Sequence, residues 1–336
     1  MSGPTPPGGL ITSEESPLFA VLAVLARDAR LVFFAGLPGT GKSLLIHQLA
    51  HLAHARGRRI HLLQWDVARP VFEASGPGRR YPLENGVTHG VIRLAVGRWA
   101  RAALARWHAK RPGLADFLIG ETPFVGHRLV ELARPARDEA EPVLAAAWTR
   151  FVIPVPSREL RAHLEAERAR RAGAPLHERE REDAPPDVLR DVWRELVRAA
   201  SALGVAAPAL RSDDDVPYDP AIYRRVYQRL LGHRHAQALP MDARLPAGGV
   251  SAYDFGIPIA DLVPTGVEAA RAIQDVETRY ADPAAVQREI DGWYLGMSPS
   301  PGTLIMSRDS ATRGGERVAK GKNMQKEKKK PKQKKK

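Results

Sequence analysis

LVFFAGLPGTGKS, residues 31–43, decides the fold of this chain. Its first half, Leu31–Gly36, is a continuous apolar run rich in strand-forming residues, which predicts a buried strand. Its second half, Gly36–Ser43, has the spacing G-x-x-x-x-G-K-[ST] of a phosphate-binding loop. Residues Lys42–Arg56 then predict a helix that ends at Gly57. A strand, a glycine-rich turn and a helix in direct succession form the structural context in which this motif binds phosphate.

The residues of this loop suit the phosphates of a nucleotide. The glycines allow successive N–H groups to point at a phosphate, and the following helix adds its positive N-terminal end. Lys42, expected to be exposed in the loop, would neutralise the β- and γ-phosphates, and the hydroxyl of Ser43 would bind Mg²⁺. The alternative is an ordinary glycine-rich turn.

The predicted cofactors are therefore ATP and Mg²⁺. Position 44 is Leu44 and not a threonine, so no second hydroxyl follows Ser43. The candidate nucleotide-binding residues are Gly36, Leu37, Pro38, Gly39, Thr40, Gly41, Lys42 and Ser43.

The segments on either side of the loop predict an α/β fold with a mainly parallel sheet. Arg59–Asp66 reads as a second strand, so strand, helix and strand form a βαβ unit. Further strands are predicted at Ala115–Glu121, Phe151–Pro156 and His235–Asp242, the fourth strand being weakened by two prolines. Residues 67–87 are predicted to be a loop. Helices are predicted from Thr12 to Arg27 with Thr12 and Glu15 as a capping box, at Thr88–Lys110, over 157–203, at Thr265–Tyr280 and at Pro283–Tyr294.

Composition divides the chain into a nearly neutral body and a basic end. The net charge is +13, but residues 319–336 hold ten lysines and one acid, Glu327. Such a tail either stays solvated or makes weak, non-specific contacts with polyanions such as nucleic acid or anionic lipid. The predicted organisation is a disordered lead-in (1–11), a core (12–156), a charged helical lid-like segment (157–205), the C-terminal part of the core (206–297) and a disordered Lys-rich tail (298–336).

Two absences limit the classes of protein to consider. The chain has no cysteine, which excludes disulfides, thiolate metal sites and a cysteine nucleophile. The longest apolar run, Pro17–Ala26, is half of the roughly 20 residues that a membrane-spanning helix needs. The N-terminal residues also lack the basic start and apolar stretch of a signal peptide, so a cytoplasmic protein is expected.

The loop at 36–43 and its setting resemble the P-loop kinases of the nucleoside-monophosphate-kinase-like group. This group includes adenylate, shikimate, gluconate and deoxynucleoside kinases and zeta toxins. The resemblance extends in element order over residues 30–245 and is specific at the loop. It implies a P-loop NTPase core of three α/β/α layers with a helical lid, and an ATP-dependent phosphotransferase activity.

The resemblance also implies roles for three residues that follow predicted strands. Asp66 would accept the proton of the acceptor hydroxyl or hold the acceptor, unless it simply begins a turn. Glu121, an acid after an apolar strand, corresponds to the Walker B residue that orders Mg²⁺ or its waters. Arg128 would bind the substrate, as an arginine does after that strand in related kinases, or would lie on a solvated helix face.

In the resembled kinases, a lid that carries arginines follows the fourth strand and closes over ATP. Arg158 and Arg161 are the leading candidates to reach the phosphates, with Arg168 and Arg171 behind them. The alternative is an exposed helix with ion pairs, which alternating Glu and Arg usually indicate.

Four functions remain open from the sequence. The leading interpretation is a kinase that transfers the γ-phosphoryl group of ATP to a small-molecule or nucleotide acceptor. The alternatives are a P-loop ATPase acting as a switch or motor, a kinase of nucleic-acid ends, and a nucleotide binder without turnover. Motors need a further polar sensor strand, which is not evident here, and no motif identifies the acceptor.

Overall fold

The computed structural model describes residues 9–84, 86–182, 184–208, 216–244 and 251–297. All of these lie in one compact unit, residues 1–300. The prediction of a disordered Lys-rich tail lies outside the described residues. At the end of the predicted lead-in, the Ile11 N–H donates to Gln48 Oε1 over 2.8 Å.

Six parallel strands form one sheet in the order β5-β4-β1-β3-β2-β6. The strands are β1 (Leu31–Ala35), β2 (Arg59–Leu63), β3 (Asp116–Thr122), β4 (Thr149–Pro156), β5 (Ala236–Met241) and β6 (Ile259–Asp261). The five predicted strands are confirmed, and the short edge strand β6 was missed. β4 pairs with β1 only as far as Val152, and beyond Val152 it pairs with β5 alone. Pro154 and Pro156 are therefore tolerated in β4, because this part of the strand has a neighbour on one side only.

The helices are α1 (Pro17–Asp28), α2 (Lys42–His54), α3 (Trp65–Ala74), α4 (Gly90–Lys110), α5 (Glu141–Ala145), α6 (Arg158–Gly173), α7 (Pro186–Ala202), α8 (Pro220–Leu230), α9 (Gly266–Arg279) and α10 (Pro283–Asp291). Among the described residues, none of them is both long enough and apolar enough to cross a bilayer.

Both faces of the sheet are covered by helices. Along β1, Leu31 and Phe33 pack into one core with α3, α4 and α8, while Val32 and Phe34 pack into a second core with α1 and α2. All four side chains are fully buried, and burial of each contributes about 1.5–3 kcal/mol. The predicted α/β class with a parallel sheet is confirmed, and a sheet buried on both faces is consistent with three α/β/α layers.

The first helix begins later than predicted. Thr12 does not cap it: the Thr12 hydroxyl donates to Gln48 Oε1. Ser16 is the N-cap, and its Oγ accepts a hydrogen bond from the Phe19 N–H. Pro17 explains the difference, since proline is favoured at the first helical position, where no N–H donor is required.

Three helices, α3, α5 and α8, were not predicted. Part of the predicted loop 67–87 belongs to α3, whose buried face consists of Trp65, Ala68 and Phe72. Helix α8 begins after Asp219, whose carboxylate caps it. In α3 and α8 the apolar face is buried in the same hydrophobic core, and this burial outweighs the polar and proline residues that suggest a loop.

Candidate functional site

The glycine-rich loop, residues 36–43, joins the carboxyl end of β1 to α2. Gly39 and Gly41 have φ values of 73° and 82°, a left-handed conformation that other residues rarely adopt. The Thr40 hydroxyl donates to the Leu37 carbonyl over 2.8 Å and closes the turn. Because Gly41 is the N-cap of α2, the unpaired N–H groups of the first helical turn lie beside the loop.

β1 lies at the point where the strand order reverses. β4 and β5 lie on one side of it, and β3, β2 and β6 on the other. In open parallel sheets, ligands bind at this point, outside the carboxyl ends of the strands. The glycine-rich loop therefore occupies the usual ligand position of such a fold.

A tyrosine from α8 closes one side of the loop. A Cβ at Gly36 would lie 2.2 Å from Tyr223 Oη, so only glycine fits there. The phenol of Tyr223 is fully buried, and burial raises its pKa, so it stays protonated. No sequence pattern indicated this contact, because 187 residues separate the two positions along the chain and α8 itself was missed.

Replacing Gly36 with alanine is expected to destabilise the protein by about 1–3 kcal/mol, the usual cost of overpacking. Adding Tyr223→Phe should recover most of this loss, since the nearest ring atom, Cζ, would lie 3.6 Å from the new methyl group. Urea unfolding of both single variants and the double variant measures the coupling between the two positions. Gly76→Ala is the control, because its Cβ would meet nothing within 4 Å. Equal stability of Gly36→Ala and the wild type would contradict the packing described here.

Lys42 and Glu121 bring opposite charges together at the ends of two adjacent strands. Lys42 is buried rather than exposed as expected, and its Nζ donates to the Leu37 carbonyl over 2.8 Å. Glu121 pairs in register with Phe34 of β1, and its Oε1 accepts from the Trp65 N–H at 3.2 Å. Burial lowers the pKa of Lys42 and raises that of Glu121, and each group's charge opposes the shift of the other.

Asp66 lies in the first turn of α3, not at the end of β2 as predicted, because β2 ends at Leu63. It is exposed. Its negative charge raises the pKa of Lys42, of Glu121 and of Arg128, which places it within electrostatic reach of all three groups. Asp66 therefore lies near both the glycine-rich loop and the segment that follows β3.

The start of α2 offers a single hydroxyl to a metal, that of Ser43. Position 44, where a threonine would add a second hydroxyl, is occupied by Leu44. Leu44 is half-buried in the first turn of α2, and its apolar side chain has no atom that could bind a phosphate or a metal. The candidate residues whose side chains could bind a phosphate or a metal therefore end at Ser43.

The oxygen donors at this site suit Mg²⁺ that is bound together with a nucleotide better than a metal held by protein ligands alone. Ser43 and Glu121 offer one hydroxyl and one carboxylate. Magnesium is commonly held by one or two protein oxygens together with substrate phosphates and water. Within the described part of the chain, no group of three or more His, Asp or Glu residues could hold a metal by itself. The residues present thus fit a metal that binds together with a nucleotide.

Helix α6 covers the glycine-rich loop with two of its arginines. Arg161 is buried, and its Nη1 donates to the Pro38 carbonyl over 2.9 Å. The charge of Arg168 lowers the pKa of both Lys42 and Glu121, so Arg168 lies within electrostatic reach of both groups. Arg161 and Arg168 are seven residues apart, two helical turns, and share one face of α6.

The other two arginines of this segment are paired elsewhere. Arg158 is 61% exposed, and its Nη2 lies 2.7 Å from Asp219 Oδ2. Arg171 pairs with Glu180 at 3.3 Å. Of the four arginines considered from the sequence, Arg161 contacts the loop and Arg168 acts electrostatically on Lys42, whereas Arg158 and Arg171 pair with Asp219 and Glu180.

Arg128 projects from a tight hairpin, residues 124–128, hereafter the Gly126 hairpin. Phe124 and Arg128 exchange backbone hydrogen bonds at 2.9 and 3.1 Å. Phe124, His127 and Leu129 all have φ near 60°, a conformation that is costly for residues other than glycine and is concentrated at functional sites. The alternative of a solvated helix face is therefore wrong for Arg128, which belongs to a strained loop beside the sheet.

Two further charged residues at the hairpin were missed from the sequence. Arg93 Nη1 donates to the Gly126 carbonyl over 2.9 Å, and Glu195 Oε1 accepts from the Gly126 N–H at 3.0 Å. Arg93 is one of four arginines in α4, and nothing in the sequence distinguishes it from the others. Glu195 lies in α7, so the helical segment after β4 contacts this hairpin as well as the glycine-rich loop.

A scan against protein-family models, a search of curated proteins and a search of solved structures each found no match. The function is therefore argued from the residues of the site.

Proposed function

We propose that this chain is an ATP-binding P-loop kinase that transfers the γ-phosphoryl group to a small-molecule or nucleotide acceptor. One observation carries the proposal. Lys42, Asp66 and Glu121 converge within electrostatic reach of one another beside a left-handed glycine loop, where the carboxyl ends of three parallel strands meet.

In this proposal the nucleotide phosphates bind in the glycine-rich loop. The N–H groups at the start of α2 and the Lys42 ammonium neutralise the phosphate oxygens. Lys42 now donates to the Leu37 carbonyl, a bond that it would exchange for a phosphate oxygen. Ser43 and Glu121 would hold Mg²⁺, which shields the phosphate charge. Glu121 must lose its proton for this task, and the ammonium of Lys42 favours its ionised form.

In this proposal the acceptor binds on the side of Asp66 that faces away from the glycine-rich loop. As a carboxylate, Asp66 accepts the proton of an acceptor hydroxyl and orients that oxygen towards the γ-phosphorus. Its exposure makes it accessible to an incoming molecule. Phosphoryl transfer needs little covalent chemistry from the protein, so orientation and charge supply most of the rate.

Helix α6 acts as the lid. Arg161 and Arg168 face the glycine-rich loop, where a guanidinium can stabilise the charge on the transferring group, an effect worth about 10³–10⁵ in rate where it has been studied. Arg161 contacts the loop backbone at Pro38, so α6 and the loop must separate at this contact before a nucleotide takes its place.

The sheet favours a kinase over a motor ATPase. The strands that flank β1 are β3, which carries Glu121, and β4, whose central residues Val152 and Ile153 are fully buried and apolar. Neither neighbour supplies the polar sensor strand that a motor needs. The interpretation as a nucleic-acid-end kinase rests on the lysine tail alone, which lies outside the described residues.

An acceptor screen tests the proposal. The full chain is incubated with Mg-ATP and single candidate acceptors, and ADP formation is measured with and without each. Alcohols, sugars, nucleosides, nucleotides and nucleic-acid ends form the panel. Acceptor-dependent ADP formation that Lys42→Ala abolishes is the expected result. A constant rate with every acceptor would support the ATPase instead, and absence of ATP binding would overturn both.

A further inference from the structure

Two arginines lie side by side at the Gly126 hairpin. The point where a Cβ at Gly126 would lie is 3.3 Å from Arg93 Nη1 and 3.5 Å from Arg128 Nη1. Arg93 is held by bonds from its Nε to the Thr88 carbonyl and from its Nη1 to the Gly126 carbonyl. The two guanidinium groups, one from α4 and one from the loop after β3, thus flank the same small space.

Neither arginine forms an ion pair with another described residue, in contrast to other arginines of this protein. The buried Arg101 lies 2.6 Å from Glu141 Oε2, and the buried Arg234 lies 2.7 Å from Glu141 Oε1. The carboxylate of Glu195 acts on both arginines at longer range, Asp66 acts on Arg128, and Glu84 and Asp291 act on Arg93. Arg69 adds a further positive charge beside Arg128.

Both guanidinium groups keep donors to spare. A guanidinium has five N–H donors in a fixed planar fork. Hydrogen bonds to described residues use two nitrogens of Arg93 and one of Arg128, which donates to the Val125 carbonyl at 3.2 Å. Both side chains are partly exposed, and none of their remaining donor nitrogens is among the fully buried, unpartnered atoms of the described residues.

Without a bound anion, it costs free energy to keep both Arg93 and Arg128 charged. Burial, and next the charge of Arg128, lower the pKa of Arg93 to about 10, and burial lowers that of Arg128. Two like charges held in a partly desolvated place disfavour each other's charged form, and a bound anion reverses the effect. The chain nevertheless places both guanidinium groups here, on a hairpin with a strained backbone.

We infer that the acceptor carries an anionic oxygen group, a carboxylate or a phosphate, which binds between Arg93 and Arg128. The inference rests on the proposed kinase function and names the chemical class of its acceptor. Planar guanidinium groups bind such anions through paired hydrogen bonds. Asp66 acts electrostatically on both Arg128 and Lys42. An acceptor anchored at the arginine pair would therefore lie near Asp66, which is also within electrostatic reach of the glycine-rich loop.

The test measures the affinity of the full chain for inorganic phosphate and for acetate by calorimetry at constant ionic strength. The glycine-rich loop is a second place for phosphate, so the titrations are repeated in a Lys42→Ala background. In both backgrounds Arg93→Gln and Arg128→Gln are compared with Arg106→Gln. Arg106 is the matched control because it lies on the same helix as Arg93 and pairs with Glu268 at 2.6 Å.

Anion binding should survive Lys42→Ala and weaken by about 10- to 100-fold with Arg93→Gln or Arg128→Gln, which is the loss expected for a charged hydrogen bond. Arg106→Gln should bind as its parent does. Preference for phosphate over acetate would assign a phosphorylated acceptor, and the reverse a carboxylate. Because Arg93 also hydrogen-bonds to the hairpin, its replacement could disturb the hairpin itself, and Arg128→Lys serves as a second variant. Lysine keeps the positive charge but lacks the planar guanidinium, so Arg128→Lys should bind the anion with intermediate affinity.

Two results would overturn the inference. One is an absence of phosphate and acetate binding in the Lys42→Ala background. The other is anion affinity that is the same for Arg93→Gln, Arg128→Gln and Arg106→Gln. A different result would show that the proposed function is wrong: the wild type would not bind ATP. That result would leave the anion titrations unaffected.

Discussion

Turnover should fall about 10²- to 10³-fold when Lys42 is replaced with alanine, the typical cost of losing one preorganised group that stabilises developing charge. In the proposed reaction the ammonium of Lys42 contacts the β- and γ-phosphates. Arg161 and Arg168 do not replace it, because they reach the loop from the lid helix α6, whereas Lys42 is the first residue of α2. The measurement is the rate of ADP formation with the acceptor found in the screen, at saturating Mg-ATP.

The same variant should keep its fold. The lost hydrogen bond to the Leu37 carbonyl costs about 0.5–1.5 kcal/mol. This loss is offset because a buried charge is removed, and burial is what lowers the pKa of Lys42. Thermal unfolding of Lys42→Ala should therefore stay within a few degrees of the wild type. Lys110→Ala is the control, since Lys110 is an exposed residue at the end of α4. A Lys42→Ala chain that is folded and turns over at the wild-type rate would refute the phosphate role of the loop.

The core of this fold could be predicted from the sequence because its signals are local. The apolar run of β1, the glycines of the loop and the start of α2 occupy adjacent residues. Each element was identified within a few residues of its bounds. Helix α8 also carried a local signal, since Asp219 and Pro220 form a start signal and Tyr223, Val226, Tyr227 and Leu230 follow at helical spacing.

The rest of the site depends on contacts between distant segments, which no local pattern encodes. Arg93 contacts the hairpin across 33 residues, and Arg161 contacts Pro38 across 123 residues. The sequence pattern therefore favoured Arg158 and Arg161 alike, although tertiary packing buries Arg161 over the loop and leaves Arg158 with Asp219. Charge patterns along α4 and α6 predict helices well but do not show which arginine faces a ligand.

Replacing Asp66 with asparagine should slow phosphoryl transfer by about 10²- to 10⁴-fold, the usual contribution of a positioned general base, with little change in ATP affinity. The position of Asp66 explains why the rate of phosphoryl transfer should fall while the affinity for ATP stays nearly the same. Asp66 is exposed in the first turn of α3, whereas Lys42 is buried and donates to the loop carbonyl of Leu37. Asparagine keeps the size and polarity of the side chain but cannot take a proton from an acceptor hydroxyl.

Two measurements distinguish this role from a structural one: kcat with saturating acceptor, and the Kd for Mg-ATP. Asp187→Asn is the matched control, because Asp187 also lies in the first turn of a helix, α7, where a negative charge adds about 0.3–1 kcal/mol through the helix dipole. Both variants should lose a similar small amount of stability, but only Asp66→Asn should lose kcat. Equal losses of kcat and ATP affinity would assign Asp66 to the metal rather than to the acceptor. An unchanged kcat would leave Asp66 as a residue that merely begins α3, and the proton would then have to go to another group or directly to solvent.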